Sequence, residues 1–309
     1  MRLRIIIGLC WLVLVIGGIS ALAITHEHRD QPAEDGKLHV AASFYPLYEF
    51  ARQVGGDAVT VSTITPAGAE PHDFEPSPQT LARTSQAAVF IYDGGTLELW
   101  VDRFLQSYHH QAIKASAGIP LLAGTAEDGT TLAGVHDPHF WLDPVYAQTM
   151  VASIRDGMMQ ADPADAAAFR RNADAYIAQL QQLDTDYRSG LQACKTRTIV
   201  TSHAAFGYLA KRYNLQVITI AGVSPDQEPS AARLADISRV VRQQGISTIF
   251  FEKLVSPRLA DTIASETGAK TAVFDPLEGL DDTAQRNGQN YLSVQKANLG
   301  ALRAALACR

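Results

Sequence analysis

The chain has 309 residues, 47% of them hydrophobic, which is enough for one or two globular domains with substantial cores. Its 26 Lys and Arg against 32 Asp and Glu give a net charge of -6. No Lys- or Arg-rich stripe is present that could neutralise a phosphate backbone, so this composition argues against nucleic acid as a partner.

The N-terminal segment predicts export. Arg2 and Arg4 precede a long uncharged, apolar stretch that gives way to a polar segment, which is the pattern of a secretory signal peptide. We expect a signal peptide at 1–23, cleaved after Ala23, and a polar linker at 24–36. The alternative is an uncleaved membrane anchor, because about 20 apolar residues can cross a bilayer as a helix.

The region 37–143 is predicted to form an N-terminal α/β lobe. Short β-rich runs alternate with helical patterns here, and such repeats indicate a parallel sheet covered on both faces. The strands are expected at 38–42, 59–63, 88–92 and 119–122, and the helices at 45–54, 79–85 and 97–108.

Linking helices are predicted at 144–194. The second of them opens at Asp162-Pro163, a good N-cap and first-turn pair. Apolar residues then recur at three- and four-residue spacing as far as Tyr187, without an intervening Gly or Pro. A helix of this length, roughly 40 Å, can run along two lobes as a stiff spine.

The same alternation resumes at 195–309, which predicts a C-terminal α/β lobe. Its strands are expected at 198–201, 215–220, 248–251 and 271–274, with helices at 206–213, 230–244 and 256–267. The fold class is therefore α/β, with two Rossmann-like lobes of parallel strands joined by the spine helix. Ligands bind at the carboxyl ends of such strands, so we expect the site in the cleft between the lobes.

Three of the nine histidines end a predicted strand or lie in a stiffened loop. His72 lies among three prolines, His139 lies between two prolines, and His203 follows the strand at 198–201. Asp275 closes the last strand and precedes a proline. Three imidazoles and one carboxylate suit a transition-metal ion better than calcium or magnesium.

Other side chains have secondary roles in this prediction. Glu252 ends a strand near the cleft, and we expect it to orient a histidine through the distal ring nitrogen. His136 could help to gather metal. Cys194 and Cys308 remain after the signal, and in an exported chain they either form a disulfide or stay as thiols.

Seven short segments carry a resemblance to a known family. In chain order they are 42–48 (ASFYPLY), 71–77 (PHDFEPS), 137–144 (DPHFWLDP), 201–208 (TSHAAFGY), 228–230 (EPS), 249–252 (IFFE) and 274–277 (FDPL). Together they resemble the metal-specific substrate-binding proteins of ABC importers, the ZnuA/TroA-like family. The segments occur in the family's order, and the resemblance extends over nearly the whole chain after the linker.

Carried over position by position, the resemblance implies that His72, His139, His203 and Asp275 bind the metal. Members that resemble manganese or iron receptors usually have Glu at the third position, whereas zinc-type members usually have His, as here. The chain departs from many zinc-type members at 127–137, which lacks their long His- and acid-rich loop.

The resemblance thus implies an exported, periplasmic receptor that binds Zn²⁺ with high affinity and delivers it to the permease of an ABC importer. It also implies a monomer without enzymatic activity. A manganese or iron receptor remains an alternative, since some manganese receptors use three His and one Asp. A zinc hydrolase is the third interpretation, because three His and a nearby Glu can hold an activated water, although a ligand at Asp275 would close the position that water needs.

Overall fold

The computed structural model describes residues 36–226 and 228–309. The predicted signal peptide, and all but the last residue of the predicted linker, lie outside these residues. Within the described part, no helix combines the length and apolar character needed to cross a membrane. All elements given below belong to one unit, Lys37–Arg309.

Four parallel strands form the sheet of the first lobe, in the order β2-β1-β3-β4. They are β1 (Leu38–Ala42), β2 (Val59–Thr63), β3 (Val89–Tyr92) and β4 (Gln111–Lys114). The first three match the prediction, but the fourth strand is not at 119–122. Pro120 lies in that run and cannot donate to a strand ladder, and the apolar side chain of Ile113 takes the buried position in β4 instead.

Three helices and a hairpin complete this lobe. The helices are α1 (Tyr45–Gly55), α2 (Pro78–Thr84) and α3 (Val101–Leu105), and the antiparallel hairpin pairs β5 (Ala123–Thr125) with β6 (Thr131–His136). The α2 helix begins where the Ser77 side chain accepts a hydrogen bond from the N–H of Thr80, which is an ordinary N-cap. The α3 helix is shorter than the predicted 97–108.

The two long helices that link the lobes are α4 (Pro144–Ala161) and α5 (Ala166–Gly190). The α5 helix has 25 residues, which corresponds to roughly 37 Å. It packs on α1 of the first lobe and on the C-terminal helix of the second lobe. The predicted apolar stripe is buried at Phe169, Ala173, Tyr176, Leu180, Leu183 and Tyr187. The spine helix is therefore confirmed, and it begins four residues later than Asp162.

The second lobe repeats the plan with four parallel strands in the order β10-β9-β7-β8. They are β7 (Thr198–Thr201), β8 (Gln216–Thr219), β9 (Thr248–Phe251) and β10 (Lys270–Val273). Its helices are α6 (Gly207–Tyr213), α7 (Ala231–Gln244), α8 (Arg258–Thr267), α9 (Asp282–Arg286) and α10 (Tyr291–Ala305). The α/β class with two parallel sheets is as predicted.

One hydrophobic core continues from the first lobe into the second. The indole of Trp141 packs edge-on against Phe44, with ring centroids 4.7 Å apart, and Phe206 stacks on Phe274 at 3.9 Å. Smaller clusters fill the outer faces of the two sheets. This shared core holds the carboxyl ends of both sheets close together.

Candidate metal centre

Four side chains from four different segments meet between the lobes: His72, His139, His203 and Glu278. His72 lies in the loop between β2 and α2, and His203 follows β7. His139 precedes a single 3₁₀ turn, Phe140–Leu142. Glu278 lies in the loop after β10. The structure thus brings together the three histidines that the sequence singled out and adds a fourth residue that it did not.

The donor atoms of these residues point at a common centre. Nε2 of His139 lies 3.1 Å from Nε2 of His72, 3.1 Å from Nε2 of His203 and 3.0 Å from Oε1 of Glu278. The same Oε1 lies 3.2 Å from Nε2 of His203 and 3.5 Å from Nε2 of His72. The four donor atoms, one from each residue, therefore surround a common point.

The spacing of these atoms fits a tetrahedral ion. Bonds of about 2.0–2.1 Å to a central zinc place neighbouring ligand atoms about 3.3 Å apart in a tetrahedron. The five separations given above, 3.0–3.5 Å, lie close to that edge length, and all four donor atoms lie within 4.8 Å of one another. Three ring nitrogens and a carboxylate also form a donor set that a borderline-soft cation prefers.

Two neighbouring carboxylates fix the orientation of the rings. Nδ1 of His139 lies 2.8 Å from Oδ1 of Asp137, and Nδ1 of His203 lies 2.8 Å from Oε1 of Glu252. A carboxylate accepts hydrogen bonds, so the proton of each neutral ring belongs on Nδ1 and the lone pair on Nε2 faces the centre. The role predicted for Glu252 thus matches its position, and Asp137 does the same for His139.

Burial and nearby charges shift the pKa values of the groups in the centre. Burial alone would lower the pKa of His203, but the charges of Glu252 and Glu278 outweigh it and raise that pKa well above the ordinary value. Burial also opposes the charged form of His139, whose pKa is nevertheless raised by hydrogen bonds to Asp137 and Glu278. In the metal-free centre, protons therefore compete for these two rings.

His72 and Glu278 shift in the opposite direction. Burial lowers the pKa of His72, and Glu278 only partly offsets this effect. Burial would favour the neutral acid at Glu278, but the charge of His203 and the nearby ring nitrogens of His139 and His72 hold its pKa well below the usual range. Oε2 of this carboxylate is buried without a hydrogen-bond partner among the described residues. The Glu278 carboxylate is thus ionised, and its Oε1 faces the three rings.

Asp275, the fourth ligand predicted from the sequence, does not join this group. Its Oδ1 accepts a hydrogen bond from the N–H of Leu277 at 2.8 Å, and its Oδ2 lies 3.2 Å from Nζ of Lys253. The residue predicted as the fourth ligand, Asp275, lies three positions before Glu278, which joins the group in the structure. The sequence signal for Glu278 was weak, because it lies beyond the strand end in a turn whose shape determines where its side chain points.

The remaining candidates lie outside the centre. His136 is exposed at the end of β6 and is absent from the four-residue group. Cys194 and Cys308 are joined by a disulfide that ties the segment before β7 to the C-terminus. This bond is at the amino-terminal side of the second sheet, whereas the metal centre is at the carboxyl ends of the strands.

Comparison with known proteins identifies relatives that share the sequence and the fold. A family model described as "Zinc-uptake complex component A periplasmic" matches residues 40–305. The zinc-binding lipoprotein AdcA of Streptococcus pneumoniae is 42% identical over 284 residues, which make up 89% of this chain and 57% of AdcA. The high-affinity zinc uptake system protein ZnuA of Bacillus subtilis is 39% identical over 311 residues, covering 97% of this chain and 96% of ZnuA.

A solved structure shares both fold and sequence. It is the Zn(II)-bound ZnuA-like domain of AdcA from Streptococcus pneumoniae, which has a TM-score of 0.77 and 42% identity and covers 88% of this chain and 99% of that domain. The chain spans little more than half the length of the full-length AdcA relatives. The family match covers most of the chain, however, and the chain belongs to the zinc-uptake complex component A family.

Proposed function

We propose that this protein is an extracytoplasmic receptor that binds one Zn²⁺ through His72, His139, His203 and Glu278. The observation that carries this proposal is the convergence of three Nε2 atoms and one carboxylate oxygen, with five of their six separations at 3.0–3.5 Å and all of them within 4.8 Å. Zinc is the cargo of this site. The relatives named as zinc-binding and zinc-uptake proteins support the choice of ion.

The donor set favours zinc over manganese. Manganese prefers oxygen ligands and accepts octahedral geometry, whereas imidazole nitrogen suits zinc. His203 supplies nitrogen where a carboxylate would supply oxygen, and the four donors are arranged for a tetrahedral shell. The Irving–Williams order also places zinc above manganese for a nitrogen-rich site. A manganese or iron receptor is thus the weaker proposal.

A hydrolase fits the geometry less well than a receptor. A catalytic zinc needs a coordination position for water, and Glu278 occupies the fourth corner. His139 and His203 are 0% exposed and Glu278 is 1% exposed. These buried ligands suit an ion that is bound and later released, rather than an ion that activates water.

The delivery step is proposed from the family. A receptor of a zinc-uptake complex delivers its ion to a membrane permease, and an ABC importer provides that permease. The export signal predicted at 1–23 agrees with a location outside the cytoplasm. We propose the periplasm, with a membrane anchor as the alternative, and action as a monomer.

Metal analysis is the direct test. Protein purified without added metal should carry close to one equivalent of zinc, and zinc should displace manganese in competition. Replacing His203 by Ala should abolish tight binding. His136→Ala is the matched control because that histidine is exposed and lies outside the centre, so it should bind zinc like the parent. Equal affinity for manganese and zinc, or unchanged binding in His203→Ala, would refute the proposal.

A further inference from the structure

The loop that carries Glu278 contains a left-handed residue. Leu277 has φ 59°, a region that clashes with the Cβ of most L-residues. Its side chain is 0% exposed, so burial in the core opposes any relaxation of this conformation. Glu278 follows immediately. The direction in which its carboxylate leaves the backbone therefore depends on keeping Leu277 in an unfavourable conformation.

Asp275 supplies the contact that holds this conformation. Its Oδ1 accepts a hydrogen bond from the N–H of Leu277, two residues on, at 2.8 Å. This is an Asx turn, in which a side chain replaces a backbone carbonyl. Pro276, between the two residues, has a fixed φ and restricts the residue before it to extended backbone. The sequence Asp-Pro-Leu thus encodes a turn as well as a strand end.

The backbone of Asp275 is itself clamped from α10. Asn298 accepts from its N–H through Oδ1 at 3.0 Å and donates to its C=O through Nδ2 at 2.7 Å. The next carbonyl, that of Pro276, accepts from the indole N–H of Trp141 at 2.8 Å. Both ends of the turn are therefore fixed before the chain reaches Glu278.

The second oxygen of Asp275 faces away from this turn. Oδ2 lies 3.2 Å from Nζ of Lys253, whose side chain is 40% exposed. Oδ2 is buried and makes no hydrogen bond among the described residues. The structural action of Asp275 therefore rests on Oδ1, and an amide oxygen could replace it there.

We propose that Asp275 is a positioning residue, which holds Leu277 left-handed and so directs the Glu278 carboxylate into the three-histidine cluster. This inference rests on the proposed function of the centre as a zinc site. It gives Asp275 a role in zinc binding without direct contact with the ion. It also distinguishes two carboxylates, three residues apart, that sequence motifs alone do not separate.

Three substitutions at Asp275 test the role. Asp275→Asn keeps an oxygen that can accept from Leu277, so its zinc affinity should stay within about threefold of the parent. Asp275→Ser offers a weaker acceptor, and Asp275→Ala offers none. Since loss of a residue that orients a metal ligand typically costs roughly 10–100-fold in affinity, Asp275→Ala should weaken binding by that factor. Asp275→Ser should lie between Asn and Ala.

A spectroscopic readout separates positioning from plain stability. Co²⁺ can replace zinc in the centre, and its visible absorption reports the number and kind of ligands. The Co²⁺ spectrum of Asp275→Ala should shift toward that of Glu278→Ala, while Asp275→Asn keeps the parent spectrum. If Asp275→Ala only lowers the melting temperature and leaves the spectrum unchanged, the positioning role is wrong. If Asn weakens binding as much as Ala or Ser does, Asp275 is a direct ligand and the proposal fails.

Glu278→Ala distinguishes this inference from the function on which it rests. Unchanged zinc affinity in Glu278→Ala would remove the fourth ligand and with it the proposed centre. If Glu278→Ala weakens binding but Asp275→Ala and Asp275→Ser do not, only the positioning role is overturned. Should Asp275→Ala fail to fold, the comparison of Asn with Ser still decides the outcome, because Ser retains a side-chain acceptor for the turn.

Discussion

The two segments that bring His139 and His72 to the metal are held in very different ways. The anchored segment, 137–143, is bound to the second lobe along its whole length. In the part of the chain that the structure describes, the backbone of the proline loop, 64–76, is bonded to its own lobe at its start, where the N–H of Ile64 donates to Ala42 of β1 and that of Thr65 donates to Ser43. Among the described residues, the backbone hydrogen bonds made by 66–76 run only within the loop.

Within the first lobe, the anchored segment has a backbone bond from Asp137 to Leu122 and the packing of Trp141 on Phe44. Its long-range side-chain hydrogen bonds come from the second lobe. Tyr208 donates to the carbonyl of Asp137 at 2.7 Å, Trp141 donates to Pro276, and Tyr291 donates to the carbonyl of Trp141. Two further bonds come from Gln295 to Leu142 and from Arg212 to the Asp143 carboxylate. These bonds tie the segment of His139 to the lobe that carries His203 and Glu278, although His139 precedes the spine helix in sequence.

The difference implies that the four ligands have two different roles in the centre. His139, His203 and Glu278 form a prebuilt platform of three donors, and His72 completes the shell from a more compliant loop. Rigid donors avoid the entropy loss of ordering on binding, whereas a compliant donor lets the ion enter and leave. The spine helix, without a Gly or Pro break before Gly190, offers no hinge for a large movement of the lobes.

The largest expected effect is a loss of zinc affinity, which should be greater for a platform ligand than for the loop ligand His72. Structural zinc sites bind with roughly 10–16 kcal/mol over four ligands, so losing one ligand should cost on the order of 10²–10³-fold in affinity. His139→Ala should lie at the upper end because its Nε2 contacts all three other donors. His72→Ala should lie at the lower end, because the platform remains. Chelator competition measures both, and a reversed order would contradict the platform.

The anchoring contacts should contribute to stability where the loop does not. Trp141→Phe leaves the buried carbonyl of Pro276 without its donor, which should lower the free energy of unfolding by about 1–3 kcal/mol. Ala67→Ser, on the exposed part of the proline loop, should stay within about 0.5 kcal/mol of the parent. Urea denaturation of the zinc-free proteins provides the comparison. Equal losses in both variants would show that the two segments are held alike.

Hydrogen exchange should report the same contrast without substitution. In the zinc-free protein, amides at 66–76 should exchange faster than those at 137–143, because few of the former donate within the structure. Zinc should slow exchange mainly at 66–76. Solution scattering should show nearly the same radius of gyration with and without zinc. A marked compaction, or protection gained chiefly at 137–143, would point to closure of the lobes instead.

The parts that the sequence revealed share a local cause. His72, His139 and His203 were identified because each lies at a strand end or in a proline-stiffened loop, features that short-range patterns encode. The spine helix was found because its stripe of apolar residues repeats at helical spacing. The fold class followed from the strand and helix alternation, since parallel strands require helical crossovers.

The parts that the sequence missed depend on contacts distant along the chain. Glu278 faces the centre only because Leu277 is left-handed, and leucine has no intrinsic preference for that conformation. The clamp from Asn298 on the last helix is equally invisible to local patterns. The anchoring of 137–143 by the second lobe was also hidden, because its partners lie 69 or more residues later in the chain.

The smallest expected effect concerns a proton on the proline loop. Burial, followed by the charge of Glu278, raises the pKa of Glu70 from 4.5 to about 9. Folding of the zinc-free protein therefore takes up a proton between these two values. The contribution of Glu70 to stability is fully present below about pH 4.5 and is lost as the pH rises toward 9. Glu70→Gln cannot titrate, so its stability should fall less between pH 5 and pH 8.

The same substitution should change the protons released by zinc. A cation in the centre favours the ionised form of Glu70, so the parent should release up to one proton more per zinc at pH 7 than Glu70→Gln does. The amide oxygen introduced by Glu70→Gln can still accept from the N–H of His72, as Oε1 of Glu70 does at 3.2 Å, and the loop should keep its shape. Calorimetry in buffers of different ionisation enthalpy counts these protons, with Glu75→Gln on the exposed side of the loop as the control. Equal proton release in the parent and Glu70→Gln would mean that the loop carboxyl does not sense the ion, and that the charge of the incoming zinc acts on the platform alone.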